Sequence, residues 1–162
     1  MNAFMRNSVL IALALVLLAG FGCAKKEVPQ NLPDDELPMT ESERQAAMTI
    51  SNGIVYFEYD RFDLTAASKA TLSQKAPVIK EFPQLRVTIE GHCDERGTEE
   101  YNLALGERRA RAAYEFLLNL GVNPGQMEMV SFGKLHPAVS GSGEAVWSKN
   151  RRDEFKVYKP RM

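Results

Sequence analysis

The chain has 162 residues, 44% of them hydrophobic and 25% charged, which is enough for one domain of ordinary size with short appendages. Its net charge of −1 leaves no basic field to argue for nucleic acid as a partner.

Met1 to Asn7 carry Arg6 and no acid, and Val9 to Phe21 is an unbroken apolar run of 13 residues. At 1.5 Å rise per residue a bilayer needs about 20 residues, so the run is too short to span one. It reads as a secretory signal peptide over residues 1–22. Cys23 follows Gly22 and resembles a bacterial lipoprotein processing site, with Gly20 where that pattern usually has Leu. A lipid-modified Cys23 carries several acyl chains, and at about 0.8 kcal/mol per buried CH₂ more than one chain anchors stably. Ala24, rather than Asp, resembles outer-membrane sorting. Cys93 is then the remaining thiol, so no intramolecular disulfide is available and the domain must hold together by its core. Residues 23–39 hold Pro29, Pro33 and Pro38 among Gln, Asn, Asp and Glu, with no apolar period. They read as a tether, and roughly 15 extended residues reach about 50 Å at most.

The domain is expected over residues 40–162. Thr40 and Glu43 form a capping box for a short helix to about Thr49. Ile54 to Tyr59 is rich in β-branched and aromatic residues and reads as a strand, with Asp60 to Leu64 turning out of it. Thr65 caps a helix to about Phe82, with Leu72, Ala76, Ile79 and Phe82 inward; Pro77 predicts a kink or restart, and Pro83 ends it. Leu85 to Gly91 is the second strand. A helix from about Glu99 to Leu120 follows, stopped by Gly121. Met127 to Phe132 alternates as a third strand, Glu144 to Lys149 makes one helical turn, and Arg152 to Lys159 closes as a fourth strand. This order, β-α-β-α-β-(short α)-β, predicts an α+β sandwich with helices on one face of a mixed four-stranded sheet.

Between the second strand and the long helix, His92, Cys93, Asp94, Glu95 and Arg96 crowd into five positions, too much charge to bury as core. The loop is either solvated or binds something charged, and loops that feed helix N-termini are where folds place ligand groups. With Leu103 at zero and about 100° per residue, Gly106, Ala110, Ala113, Tyr114, Leu117 and Leu120 fall in one arc. On the same wheel Arg108 lands at about 140° and Arg111 at about 80°, away from that arc, while Arg109 at about 240° and Asn102 at about 260° lie on its shoulder. Of three neighbouring arginines, Arg109 alone is turned toward the loop and sheet. A loop carboxylate and this guanidinium either pair with each other or stand apart, one for an ammonium and one for a carboxylate, as an amino-acid zwitterion requires.

The stretch GHCDERGTEEYNLALGERRA (91–110) resembles the OmpA-like peptidoglycan-binding domain family, and within it the peptidoglycan-associated lipoproteins. Supporting pieces are VYFEYDRFD (55–63), SFGK (131–134) with Pro137, and SKNRR (148–152), so the likeness spans nearly the whole chain. It implies the peptidoglycan stem peptide as ligand, chiefly its diaminopimelate, with Asp94 accepting the ammonium and Arg109 forking onto the carboxylate. The backbone at Tyr59 and Asp60 would hold the other end, with Asn102 and Arg96 in support. Cys93 stands where the family usually has Ala or Thr, and Glu99 where Pro is frequent. The likeness also implies the Tol system, TolB first, as protein partner, a lipid anchor in the outer membrane, a domain facing the periplasm, and a role in envelope integrity and cell division.

An enzyme or metal reading of His92, Cys93, Asp94 and Glu95 has little to stand on. Four consecutive residues diverge and cannot by themselves close a tetrahedral shell, and no His–Cys–Asn set or H-E-x-x-H spacing is present. No cofactor and no metal are expected. His92 is expected to orient the loop by hydrogen bonding, Cys93 to be half-buried, Glu95 to be solvated, and Trp147 to pack over the long loop. Arg151 and Arg152 are either a solvated pair or ties from the last strand to the binding loop.

Overall fold

The computed structural model describes residues 36–161; the expected signal peptide, Cys23 and the tether up to residue 35 lie outside the described residues. The elements are α1 (Glu41–Ser51), β1 (Val55–Tyr56), α2 (Ala66–Glu81), β2 (Arg86–His92), α3 (Glu99–Asn119), a 3₁₀ turn (Pro124–Gln126), β3 (Met127–Gly133), α4 (Glu144–Asn150) and β4 (Arg152–Tyr158). The sheet order is β1-β4-β2-β3, with β2 and β3 parallel and the other two pairs antiparallel. The expected α+β architecture, a mixed four-stranded sheet with helices packed on one face, is what the chain adopts.

Local chemistry sets the boundaries. Thr40 and Glu43 close a reciprocal capping box on α1, and Thr65 and Thr98 accept from Ser68 N and Tyr101 N at the starts of α2 and α3. Alternation along β2 and β4 turns Val87, Ile89 and Phe155 inward, against Ile50 of α1, Leu72 and Ile79 of α2 and Leu117 of α3. The other face of the sheet carries Glu90, Glu154 and Lys156.

Two expectations are corrected. Helix α2 runs unbroken through Pro77. Pro77 and Ser73, the residue whose carbonyl it leaves without an i+4 donor, are both exposed, so water can satisfy that carbonyl. The first strand is two residues long rather than six. Its partner β4 starts at Arg152, and beyond that point Arg151 holds the chain instead: Phe57 N donates to Arg151 O at 3.0 Å and Arg151 Nε donates to Phe57 O at 3.0 Å. At the opposite end of β4, Glu36 forms a bridge with Pro160, and Leu37 N donates to Lys159 O at 2.8 Å.

Candidate functional site

The candidate site grows from the C-terminal end of β2. Cys93 N donates to Gly133 O at 2.7 Å, one residue past the strand, before the chain leaves the sheet. Gly97 turns it at a φ of +89°, and Thr98 caps α3. Two glycines set how close α3 lies: a Cβ on Gly91 would stand 2.0 Å from Gly106 O, and one on Gly106 would stand 2.3 Å from Ser131 Oγ. Across this seam Ser131 Oγ donates to Leu103 O at 2.7 Å. Arg109, a turn beyond Gly106, is thereby pressed against the strand ends and is 1% exposed.

Among the described residues Arg109 meets no carboxylate at ion-pair distance. Its Nε donates to Arg61 O at 2.9 Å, Nη1 to His92 O at 2.8 Å and to Cys93 Sγ at 3.4 Å, and Nη2 to Glu58 O at 3.3 Å. These bonds occupy four of the five guanidinium N–H groups and leave one on Nη2. Burial pulls its pKa below the usual guanidinium range, and the nearby Cys93, Asp153 and Asp94 work against that pull. The bonds to Glu58 and Arg61 straddle Tyr59 and Asp60 and pin that loop from both sides. Asp60 itself has a φ of +55°, a left-handed conformation that Asp tolerates, and it accepts the Tyr101 hydroxyl.

Asp94 is 5% exposed and fully engaged. Its Oδ1 accepts from Arg96 N at 3.1 Å and Arg96 Nε at 3.0 Å; its Oδ2 accepts from Arg96 Nη2 at 2.7 Å and Arg151 Nη1 at 3.3 Å. Burial alone would raise its pKa, but the Arg96 and Arg151 contacts outweigh it and hold the carboxyl below the usual range. Arg96 lies between two rings, its guanidinium carbon 3.9 Å from the centroid of Tyr59 and 4.0 Å from that of Trp147.

Tyr59, Asp60, Asp94, Arg96, Asn102 and Arg109, the six residues expected at the ligand, all line one cleft. Cys93, Gly97, Tyr101 and Leu105 complete its wall. Among the described residues Asp94 and Arg109 form no ion pair with each other. Asn102 supports from below, its Nδ2 donating to Arg96 O at 2.8 Å and Thr98 O at 2.9 Å.

Several side chains differ from expectation. The His92 ring is not a hydrogen bonder: it is 2% exposed and neither ring nitrogen has a partner among the described residues, while the ring stacks on Phe132 at 5.5 Å. Burial first, then the Arg152 charge, push its pKa down to about 4, so it is neutral at pH 7. Cys93 is 3% exposed rather than half-buried, and burial raises its thiol to about 11. Glu95 is exposed but bonded, accepting from Ser142 Oγ at 2.6 Å and Trp147 Nε1 at 2.9 Å. Trp147 packs on Arg96. Arg151 is a tie rather than a solvated group, holding Phe57, Asp94 and Glu144. Asp153 was not singled out in sequence. Its carboxyl is fully buried without a hydrogen-bond partner among the described residues, and burial raises its pKa well above the usual range against the opposing charge of Arg109. Its inward position in β4 was legible from strand alternation, but its proximity to Arg109 was not.

Comparison with known proteins agrees with this architecture. The chain is 38% identical over 154 residues to a peptidoglycan-associated lipoprotein of Mesorhizobium japonicum, covering 93% of this chain and 91% of that protein. It is 44% identical over 138 residues to the peptidoglycan-associated lipoprotein of Pseudomonas aeruginosa, covering 85% and 75%. The crystal structure of the peptidoglycan-associated lipoprotein from Burkholderia pseudomallei superposes with a TM-score of 0.65 at 43% identity, over 67% of this chain and 92% of that one. The C-terminal domain of Helicobacter pylori MotB shares the fold at 21% identity, with a TM-score of 0.61 over 65% and 83%. The OmpA family model matches residues 56–151, which run from β1 through the cleft to Arg151, and the chain belongs to the OmpA family.

Proposed function

We propose that the chain is an envelope lipoprotein that binds the stem peptide of peptidoglycan non-covalently in this cleft and so ties the outer membrane to the cell wall. The observation that carries the reading is that a buried carboxylate and a buried guanidinium, Asp94 and Arg109, reach one cleft without neutralising each other. A diaminopimelate zwitterion has the charges to match. Asp94 takes the ligand's ammonium in exchange for Arg96, whose side chain is 29% exposed, while Arg151, at 4%, keeps its place. Arg109 offers its free N–H to the ligand's carboxylate. Lipidation at Cys23 supplies the outer-membrane anchor, residues 23–39 the reach, and the domain from residue 40 faces the periplasm. The names of the similar lipoproteins support the ligand. In this reading the Tol proteins, TolB first, are partners, and the task is envelope integrity and cell division.

Sedimentation with purified sacculi tests it. Asp94→Asn keeps the shape of the side chain and removes its charge, so binding should be lost; Arg108→Ala, away from the cleft, should bind as the wild type does. Wild-type sedimentation by Asp94→Asn would overturn the assignment. A second reading, docking of a periplasmic protein on the same face, is favoured by the exposed rim of Tyr59 (58%) and Tyr101 (51%). Soluble stem peptide added to a TolB binding assay separates the two: competition means a shared face, and independent binding means separate ones.

A further inference from the structure

On the helix-free face of the sheet, Glu90 of β2 and Glu154 of β4 are direct cross-strand partners. Like charges set opposite each other in an antiparallel pair repel. Beside them stands His92, only 2% exposed, with both ring nitrogens unpartnered among the described residues. His92 Nε2 lies 3.9 Å from Glu90 Oε2, and one ligand atom from each of Glu90, His92 and Glu154 lies within 4.8 Å of the others. We propose that these three side chains form a binding site for a divalent transition metal of the zinc class, separate from the cleft.

The chemistry of the donors fits. A neutral imidazole and two carboxylates are ligands that zinc accepts, and bond lengths of about 2.0–2.2 Å put neighbouring ligand atoms of a tetrahedral shell roughly 3.4 Å apart. The present spacings close to that value by small carboxylate rotations, and a water completes the shell. The site now holds a cation of its own: Lys156 Nζ is 2.9 Å from Glu154 Oε2 and 4.0 Å from Glu90 Oε2. The Lys156 side chain is 57% exposed and free to swing into solvent, whereas Arg152, bonded to Glu154 Oε1 at 2.6 Å, is 4% exposed and stays. A metal ion therefore replaces an ammonium between the same two carboxylates and gives the orphaned imidazole its partner. Scanning consecutive residues for ligands misses this set, because Glu154 reaches it only through strand pairing.

The test is titration of the untagged full chain with Zn²⁺ by calorimetry and with Co²⁺ by visible absorption, whose d–d bands report the ligand shell. The expected result is one ion per chain, weakened at least tenfold by Glu90→Gln or Glu154→Gln and tightened by Lys156→Met, which removes the competing ammonium. These three positions lie on the open face, so the outcome does not depend on a His92 variant that fails to fold. Absence of one-to-one binding, affinity unchanged in both glutamine variants, or binding lost in His136→Ala alone would each overturn the site. Sacculus binding is not a readout here, so failure of the cleft reading and failure of this one are distinguishable.

Discussion

Arg109 keeps its charge in the interior through the carbonyls of Glu58, Arg61 and His92, with the Asp153 carboxyl nearby in place of a salt bridge. The side chain thus ties the β1–α2 loop to the end of β2 besides facing the cleft. Arg109→Met should cost roughly 2–5 kcal/mol in chemical denaturation, since each carbonyl left unsatisfied costs about 1–3 kcal/mol. Arg108→Ala, on the exposed face, should stay within about 0.5 kcal/mol. Helical phase was enough to pick Arg109 from its two neighbours, because one periodic element decides which way it points. Helical phase could not show what it touches. Glu58 and Arg61 reach it across more than forty residues of sequence, and the burial of Arg151 and Asp153 depends on β4 lying between β1 and β2. The orphaned imidazole of His92 was hidden for the same reason, since a register shift between Gly91 and His92 aims it.

At the scale of elements, the cleft depends on how near α3 sits to the parallel pair β2–β3. Gly91 and Gly106 meet backbone to backbone there, and no side chain fits at either. Gly91→Ala must push the helix outward against Gly106 O, so urea unfolding should show a loss at or above about 3 kcal/mol, the upper end of ordinary overpacking. Gly121, whose added Cβ would meet nothing within 4 Å, offers a contrast, with only its φ of +81° opposing alanine. The starts of α1 and α2 were legible to the residue because Thr40 and Thr65 cap locally. The first strand was overextended because its composition is strand-like while its pairing partner runs out. Pro77 does not restart α2, because an exposed turn tolerates the lost bond.

For the whole molecule, the N-terminal helix is fastened by charge. Glu43 is bonded by Lys159 Nζ, Gln84 Nε2 and Thr40 N, in that order of effect, and its pKa falls to about 2. A depressed carboxylate contributes stability that is present above its unfolded pKa near 4.5 and lost as pH falls toward 2. Thermal melts from pH 6 to pH 2.5 should therefore show a falling midpoint, with a shallower slope in Glu43→Gln. The same fastening has a mechanical side. Residues 36 and 37 leave the domain paired with Pro160 and Lys159, while Asp94 is held by Arg151 just before the other end of β4. β4 is seven residues long, so its six steps of about 3.3 Å set the two ends roughly 20 Å apart. Tension between the N-terminal segment and a ligand in the cleft would run along the strands. It would shear the β4–β2 hydrogen bonds together rather than unzip them singly, and the domain should resist force in that direction far better than across the sheet.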